Sequence, residues 1–329
     1  MRKSKLKTIA ILIIIIVLCL SVGVYAGYSL SAKDVNYTKP DGTTVTVSQA
    51  LDELRTKTTT DATAATTITE AQSDSMLTKM VNSTILDESG NKIVIPAGYK
   101  LRVDGTTNNA TTVDKGMVIE DSKGNQYVWI PCTTDTSSSK LQFQRTEWWV
   151  DNDNDTRASK DELTLADSTC SESDIANGLT ENVKNAIINQ VKSEKASISK
   201  YGGYYIGRYE VGKENSTAVI KANQTPYANI IWSKAYELAN GIGGGIAAET
   251  HLCSSYAWDT AINFIQNTST PNYATSCDGM NENWKDREVV DSEGNVIKAS
   301  GTAQRLNTGL TTAKTNIFDM GGNNVEFTT

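Results

Sequence analysis

The longest unbroken apolar run lies at the start of the chain: IAILIIIIVLCLSVGVYA, Ile9 to Ala26, has no charge in 18 residues. Wound as a helix it would be about 27 Å long, close to the hydrocarbon thickness of a bilayer. From Ser31 to about Ser89 polar positions dominate. Within that stretch VSQALDELRTK sets Val47, Leu51 and Leu54 on one helical face, which predicts a short helix or a strip for self-association. TKTTTDATAATTITEAQSDS follows as a Thr/Ala-rich spacer with little to bury, the composition of a stalk.

Further along, the pattern changes to that of a folded body. KIVIPAGYKL and GMVIEDSKGNQYVWIP are rich in β-branched and aromatic residues, and SKGN between two runs signals a turn. LQFQRTEWWV is another candidate strand. LTENVKNAIINQVKSEK predicts a helix capped by Thr180, with Val183, Ile187 and Val191 on one face. GGYYIGRYEVG returns to strand. Two more helices are expected, SKAYELAN with Ser233 as cap and SSYAWDTAINFIQ, whose Trp258, Ala261, Ile262 and Ile265 form a core face. No internal repeat is evident.

Charge turns the first run into a topology. Arg2, Lys3, Lys5 and Lys7 precede it, and cations on that flank stay cytoplasmic, so the body is placed outside. Val24 and Ala26 also fit the small-residue pattern of a signal-peptidase site, with release after Ala26. Anchor and cleaved signal stay open as alternatives; either exports the body. The expected layout is residues 1–30 as signal or membrane anchor, 31–88 as polar stalk and 89–329 as the domain. Membrane contact would run through residues 9–26. Without the four leader cations the chain holds 27 basic against 38 acidic side chains, a balance of −11. An acidic body repels phosphate backbones, which argues against nucleic acid as a partner.

Cysteine usage agrees with export. Cys19 lies in the apolar run, leaving Cys132, Cys170, Cys253 and Cys277, an even count compatible with disulfides of unspecified pairing. There is no CxxC pair and His251 is the only histidine, so a clustered zinc site is not expected. A Ser-His-Asp triad would have to use His251, whose plainer reading is an ordinary surface or packed residue.

DNDNDTRASKDE, Asp151 to Glu162, spaces oxygen ligands as an EF-hand loop does: Asp151, Asp153 and Asp155 at positions one, three and five, and Glu162 at twelve. Position six should be Gly but is Thr156, and the preceding WWV reads as strand. A solvated acidic loop is the alternative to a calcium clamp.

Four stretches occur in an ordered set: YVWIPC (Tyr127 to Cys132), GGYYIGRYEVG (Gly202 to Gly212), PYANIIWSKA (Pro226 to Ala235) and IFDMGGNNVEFT (Ile317 to Thr328). They resemble, in that order, the VxIPGG-like, YIGRYEVT-like, PVxNVSWxxA and DMxGNVWEWT motifs of the formylglycine-generating enzyme family, the sulfatase-modifying factors. Pro226, Asn229, Ile230, Trp232 and Ala235 hold the matching spacing. His251 to Trp258 keeps only the leucine and tryptophan of the family's LPTEAEWEYA helix. The resemblance covers about Gly116 to Thr329, with an insertion near 133–200. It implies an α+β, C-type-lectin-like fold. It also implies a further segment beyond Thr329, with an RGG-like strand, a catalytic cysteine pair and a closing GFR-like strand, so the chain is expected to be a fragment.

The resemblance further implies a structural calcium ion at the tail, held by the Asp319 and Glu326 carboxylates and the Gly322 and Asn324 backbone oxygens. Where the family has tryptophans this chain has Val325 and Phe327. Cys253 and Cys277 fall in the wrong segment to be the family's active cysteines. Two functions follow as expectations. One is an extracellular binding or adhesion module for a protein or glycan. The other is a formylglycine-generating oxidase using copper held by two cysteines, which no residue of this chain is placed to perform. Fold resemblance alone does not grant activity.

Overall fold

The computed structural model describes residues 68–103, 112–146, 180–243, 248–269, 293–302, 304–310, 313–320 and 327–329, with short pieces around them. The apolar run 9–26, the residues Asp151, Asp153, Asp155 and Glu162, and Gly322, Asn324 and Glu326 lie outside the described residues. So do Cys170 and Cys277. Among the described residues no helix is long and apolar enough to cross a membrane. The chain divides into two units, Met1–Thr58 and Thr59–Thr329.

In the first unit β1 (Asn36–Thr38) pairs antiparallel with β2 (Thr44–Thr46). Directly after β2, Thr46 N donates to Gln49 Oε1 at 2.8 Å and Gln49 N donates to Thr46 Oγ1 at 3.1 Å. This reciprocal capping pair satisfies backbone donors at the point where the sequence predicts a helix to begin. The remainder of that predicted helix lies outside the described residues.

The second unit starts within the stretch that sequence alone assigns to the stalk. After β3 (Thr63–Ala64), Thr69 and Gln72 cap α1 (Glu70–Asp74), and Ile68, Met76 and Ile85 are buried in the main core. The buried Ser73 hydroxyl donates to the Leu101 carbonyl. β4 (Ser83–Leu86) then pairs antiparallel with β5 (Lys92–Ile95), so residue 89 falls inside a hairpin turn. Three apolar side chains in an otherwise polar run are enough to attach it to the body.

A four-stranded antiparallel sheet forms the centre. It uses β6 (Tyr99–Leu101), β7 (Val118–Asp121), β8 (Gln126–Pro131) and a later strand that pairs with β8. Between them the chain makes the hairpin of β9 (Trp148–Val150) and β10 (Thr156–Ala158), and then α2 (Glu181–Tyr201). Thr180 caps α2 by accepting from Val183 N. Gly202 closes the helix at φ 80, its N–H donating to the Ile198 carbonyl at 2.7 Å. That left-handed residue turns the chain straight into β11 (Gly203–Gly207), the strand beside β8.

Both faces of this sheet are buried, and β8 shows why. Tyr127 and Trp129 point to one face, joining Ile85, Ile93, Leu101 and Ile119. Val128 and Ile130 point to the other, joining Val118 and the helix residues Ala261, Ile262 and Ile265. Alternate positions serve opposite cores, so a continuous apolar run is what a central strand requires. Each fully buried Ile or Val here contributes roughly 1.5–3 kcal/mol.

β12 (Gly212–Glu214), β13 (Thr217–Val219) and β14 (Thr225–Pro226) make a small sheet. α3 (Trp232–Ala239) follows. Its cap is Ile231, not Ser233: Ile231 is extended at φ −81 and its carbonyl accepts from Lys234 N and Ala235 N. α4 (Ser255–Thr268) is capped by Ser254 and buries Tyr256, Ala257, Asp259, Thr260, Ala261, Ile262, Phe264 and Ile265. That arc is wider than the expected face, and Trp258 sits at its rim, partly buried. β15 (Val289–Val290) and β16 (Val296–Lys298) form a last hairpin. The fold is α+β. Of the stretch 141–150 expected as strand, residues 141–146 are irregular apart from a parallel bridge of Gln142 to Thr133, and Trp148–Val150 pair with β10.

Candidate functional site

The strand end at Arg208 and the tail at Asp319, distant in sequence, meet in the fold. Phe318 N donates to the Arg208 carbonyl at 2.9 Å. The Arg208 guanidinium is buried: Nη1 donates to Gln126 Oε1 at 2.8 Å and Nε to the Asn316 carbonyl at 3.3 Å. Tyr209 and Phe318 stack at 5.0 Å, and the guanidinium carbon lies 5.4 Å from each ring centre. Asn316 in turn donates to the carbonyls of Lys115 and Gly116. Gly116 has φ 82, and a Cβ there would meet the Thr315 oxygen at 2.0 Å, so only glycine lets the two segments close.

Asp319 belongs to this junction. It is 4 % exposed with φ 59, and its Oδ2 accepts from Gly309 N at 2.7 Å. Of the four tail residues expected to hold calcium it is the one described, and its carboxylate fastens the turn at Gly309. A cation there would share Asp319 with that amide. The Asp151 to Glu162 stretch follows strand β9 where an EF-hand loop would follow a helix, and its own residues Thr156–Ala158 form β10, with Thr156 pairing with Val150. Among the described residues no group of three or more His, Cys, Asp or Glu side chains is placed to hold a metal ion.

A second cluster surrounds the single histidine. Glu194 on α2 is buried, and its Oε2 accepts from the Ser254 hydroxyl at 2.7 Å. Its Oε1 faces His251 Nε2 at 3.3 Å and accepts from Gln190 Nε2 at 3.2 Å. Burial pushes the Glu194 carboxyl above the usual range, while His251, Ser254 and Gln190 pull it back. Ser254 Oγ also accepts from Ala257 N at 3.0 Å, so one hydroxyl caps α4 and binds α2. Cys132 and Cys253 lie in the adjoining core as thiols. Burial pushes Cys132 up to about 12, which leaves it a packed thiol and not a nucleophile. No pairwise motif pointed to Glu194, whose partners are separated from it by some sixty residues.

The third feature is exposed. Ile231 is 68 % exposed and Phe327 42 %. Trp232 and Tyr236, partly buried and one turn apart on α3, stack at 5.3 Å with planes 18° apart. Trp232 Nε1 donates to the Thr328 carbonyl at 3.0 Å, which fixes the ring beside the tail. Lys234 and Glu237 pair on the outer side of the helix at 2.9 Å. The result is an apolar, aromatic surface with a polar margin.

These features define an α+β protein with buried polar junctions and, among the described residues, a partly exposed apolar and aromatic patch on α3 and the tail. Comparison with known proteins brings no match to a family model, a curated protein or a solved structure.

Proposed function

We propose that the chain is an exported binding or adhesion module, displayed outside the cell on a formylglycine-generating-enzyme-like, C-type-lectin-like scaffold. Residues 9–26 are its membrane segment, and its ligand is an extracellular protein or glycan. The observation that carries this reading is the surface of Ile231, Trp232, Tyr236 and Phe327. Stacked Trp and Tyr rings with a polar margin have the make-up of interface hot spots. The buried clusters satisfy their polar groups internally, whereas this patch, with Ile231 and Phe327 exposed and the Trp232 and Tyr236 rings partly so, faces outward. Structural calcium at Asp319, Gly322, Asn324 and Glu326 belongs to the same reading, as a brace for the tail that borders the surface.

The test is binding of the full chain to arrays of immobilised glycans and extracellular-matrix proteins. Ile231→Asp and Phe327→Asp are expected to abolish a signal that Val296→Asp, an exposed apolar site elsewhere, leaves intact. Equal binding by all three variants would sink the assignment of this surface.

A further inference from the structure

Cys132 and Cys253, far apart in sequence, belong to one small core. Cys132 follows β8 directly, and its N–H donates to the Gly202 carbonyl at 3.1 Å, which extends the pairing with β11 by one position. By strand alternation its side chain shares a face with Val128 and Ile130. It is 2 % exposed, among Phe143, Val191, Ile198, Tyr256 and Ala257. Cys253, half-buried, packs against that same cluster from the segment leading into α4. Tyr204 stands with both. Its hydroxyl donates to the Ala257 carbonyl at 2.5 Å, and burial first, then Cys132 and Cys253 as neighbours, push that hydroxyl well above its ordinary range.

The backbone holds each cysteine in place. On the Cys132 side, Thr133 N donates to the Leu141 carbonyl at 2.8 Å and Phe143 N to the Thr133 carbonyl at 2.9 Å. On the other, the Cys253 carbonyl accepts from Thr329 N at 3.1 Å, and the next residue, Ser254, donates to Glu194 at 2.7 Å. Two thiols in one apolar core have few uses. Among the described residues no third His, Cys, Asp or Glu joins them to make a metal site. Cys132, buried and protonated, is no surface nucleophile. Reduced thiols are ordinary packing groups in the cytoplasm, but outside it a pair in a common core is ordinarily joined.

We propose that Cys132 and Cys253 are the partners of a disulfide that ties the end of β8 to the start of α4. In this structure both are thiols, the reduced form of the pair. The oxidant is a small-molecule disulfide such as oxidised glutathione. Cys253, the more accessible sulfur, attacks it as a thiolate and forms a mixed disulfide, releasing one small thiol. The Cys132 thiolate then attacks the Cys253 sulfur and releases the second. One protein disulfide is made, one small-molecule disulfide is reduced, and the two protons end on the released thiols. Burial keeps Cys132 protonated once the core has closed, so the second step belongs to folding. The Cys253 thiol gives up its 3.6 Å contact with the Ser254 carbonyl. That the cell supplies an oxidising compartment rests on the export reading; the choice of partners does not.

The test makes the full chain by cell-free synthesis in detergent with a mixture of reduced and oxidised glutathione, so that it folds beside an oxidant without being exported. Remaining thiols are then blocked with N-ethylmaleimide. Chymotrypsin cuts after Tyr256 and Tyr273, which separates Cys253 from Cys277. Mass spectrometry should find the Cys132 and Cys253 peptides linked, lighter than their sum by two hydrogens, and neither of them blocked. In Cys132→Ser, Cys253 should become blocked. Reduction should lower the wild-type melting midpoint by about 10 °C more than that of Cys253→Ser. Both cysteines blocked in the oxidised wild type, or either one linked to Cys170 or Cys277, overturns the proposal. If a variant fails to fold, the wild-type peptide map decides alone. Failure of the export reading shows separately, in the location of a reporter fused after Ser31.

Discussion

Replacing Asn125 by Ala tests how the body is held together. Asn125 is 1 % exposed and makes three side-chain bonds. Its Nδ2 donates to Asp121 Oδ2 at 2.9 Å and to the Ile242 carbonyl at 3.2 Å, and its Oδ1 accepts from Ile220 N at 2.9 Å. Alanine would strand a backbone N–H and a carbonyl in the interior, each costing roughly 1–3 kcal/mol, for a total of about 3–5 kcal/mol. The control is built into the fold. Asn295 has the same relation to Asp291, donating at 2.9 Å, but it is exposed, so water can replace the bond. Asn295→Ala should cost less than about 1 kcal/mol. Urea unfolding should therefore show a large fall in midpoint for Asn125→Ala at unchanged slope, and almost none for Asn295→Ala. In thermal melting the difference is on the order of 10 °C. Equal losses at the two sites would refute the view that this turn acts as a hub at one place and a simple reversal at the other.

Acid stability should carry the signature of Asp87. Burial raises its carboxyl, but hydrogen bonds from Asn91, Val113 and Ser89 together outweigh that and hold it below the ordinary value. A lowered folded value contributes stability that is present above the unfolded value and lost as pH falls through the folded one. Below about pH 4 the urea midpoint of wild type should thus fall more steeply than that of Asn91→Ala; parallel curves would contradict this. Calcium titration followed by melting should raise the midpoint, by ~2.7 kcal/mol at one hundred times the dissociation constant. Asp319→Asn should remove most of that rise and the paired Asp153→Asn and Asp155→Asn change little; the reverse order would move the ion to the Asp151 loop. Alkaline phosphatase fused after Ser31 should be active outside the cell, and activity confined to a cytoplasmic reporter would end the export reading.

Continuous apolar runs such as Tyr127 to Ile130 are legible because both faces of a central strand must be apolar, and Thr180 announces its helix because a cap is a local event. The start of α3 was not, since Ser233 looks like a cap while the chain geometry at Ile231 decides. The attachment of residues 68–86 was missed for a related reason: Ile68, Met76 and Ile85 are too widely spaced to show a period. The chain also repeats one five-residue turn at three places. Asp87 to Asn91, Asp121 to Asn125 and Asp291 to Asn295 share the pattern D-x-x-G-N, with the glycines at φ 78, 83 and 86. In each, one Asp oxygen takes two backbone N–H bonds and the other takes the Asn side chain. Five residues separated by long gaps do not register as periodicity, yet they close three hairpins by the same chemistry.

Tyr127 to Cys132, Gly202 to Tyr209 and Asn316 to Asp319 do one physical task. Tyr127 to Cys132 and Gly203 to Gly207 pair as neighbouring strands, and Arg208 receives Ile317 to Asp319 through Phe318, Asn316 and the stacked Tyr209. Much of that is interior, where shape and hydrogen-bond completeness restrict the residue that fits. A likeness at such positions would speak about scaffold, whereas Pro226 to Ala235 also carries Ile231 and Trp232 of the outer patch. Ligand choice belongs to side chains that solvent can reach, such as Ile231 and Phe327, which are 68 % and 42 % exposed. The scaffold can therefore be kept while the surface is altered. That is why the Ile231 and Phe327 variants, and not changes at Arg208, separate loss of recognition from loss of fold.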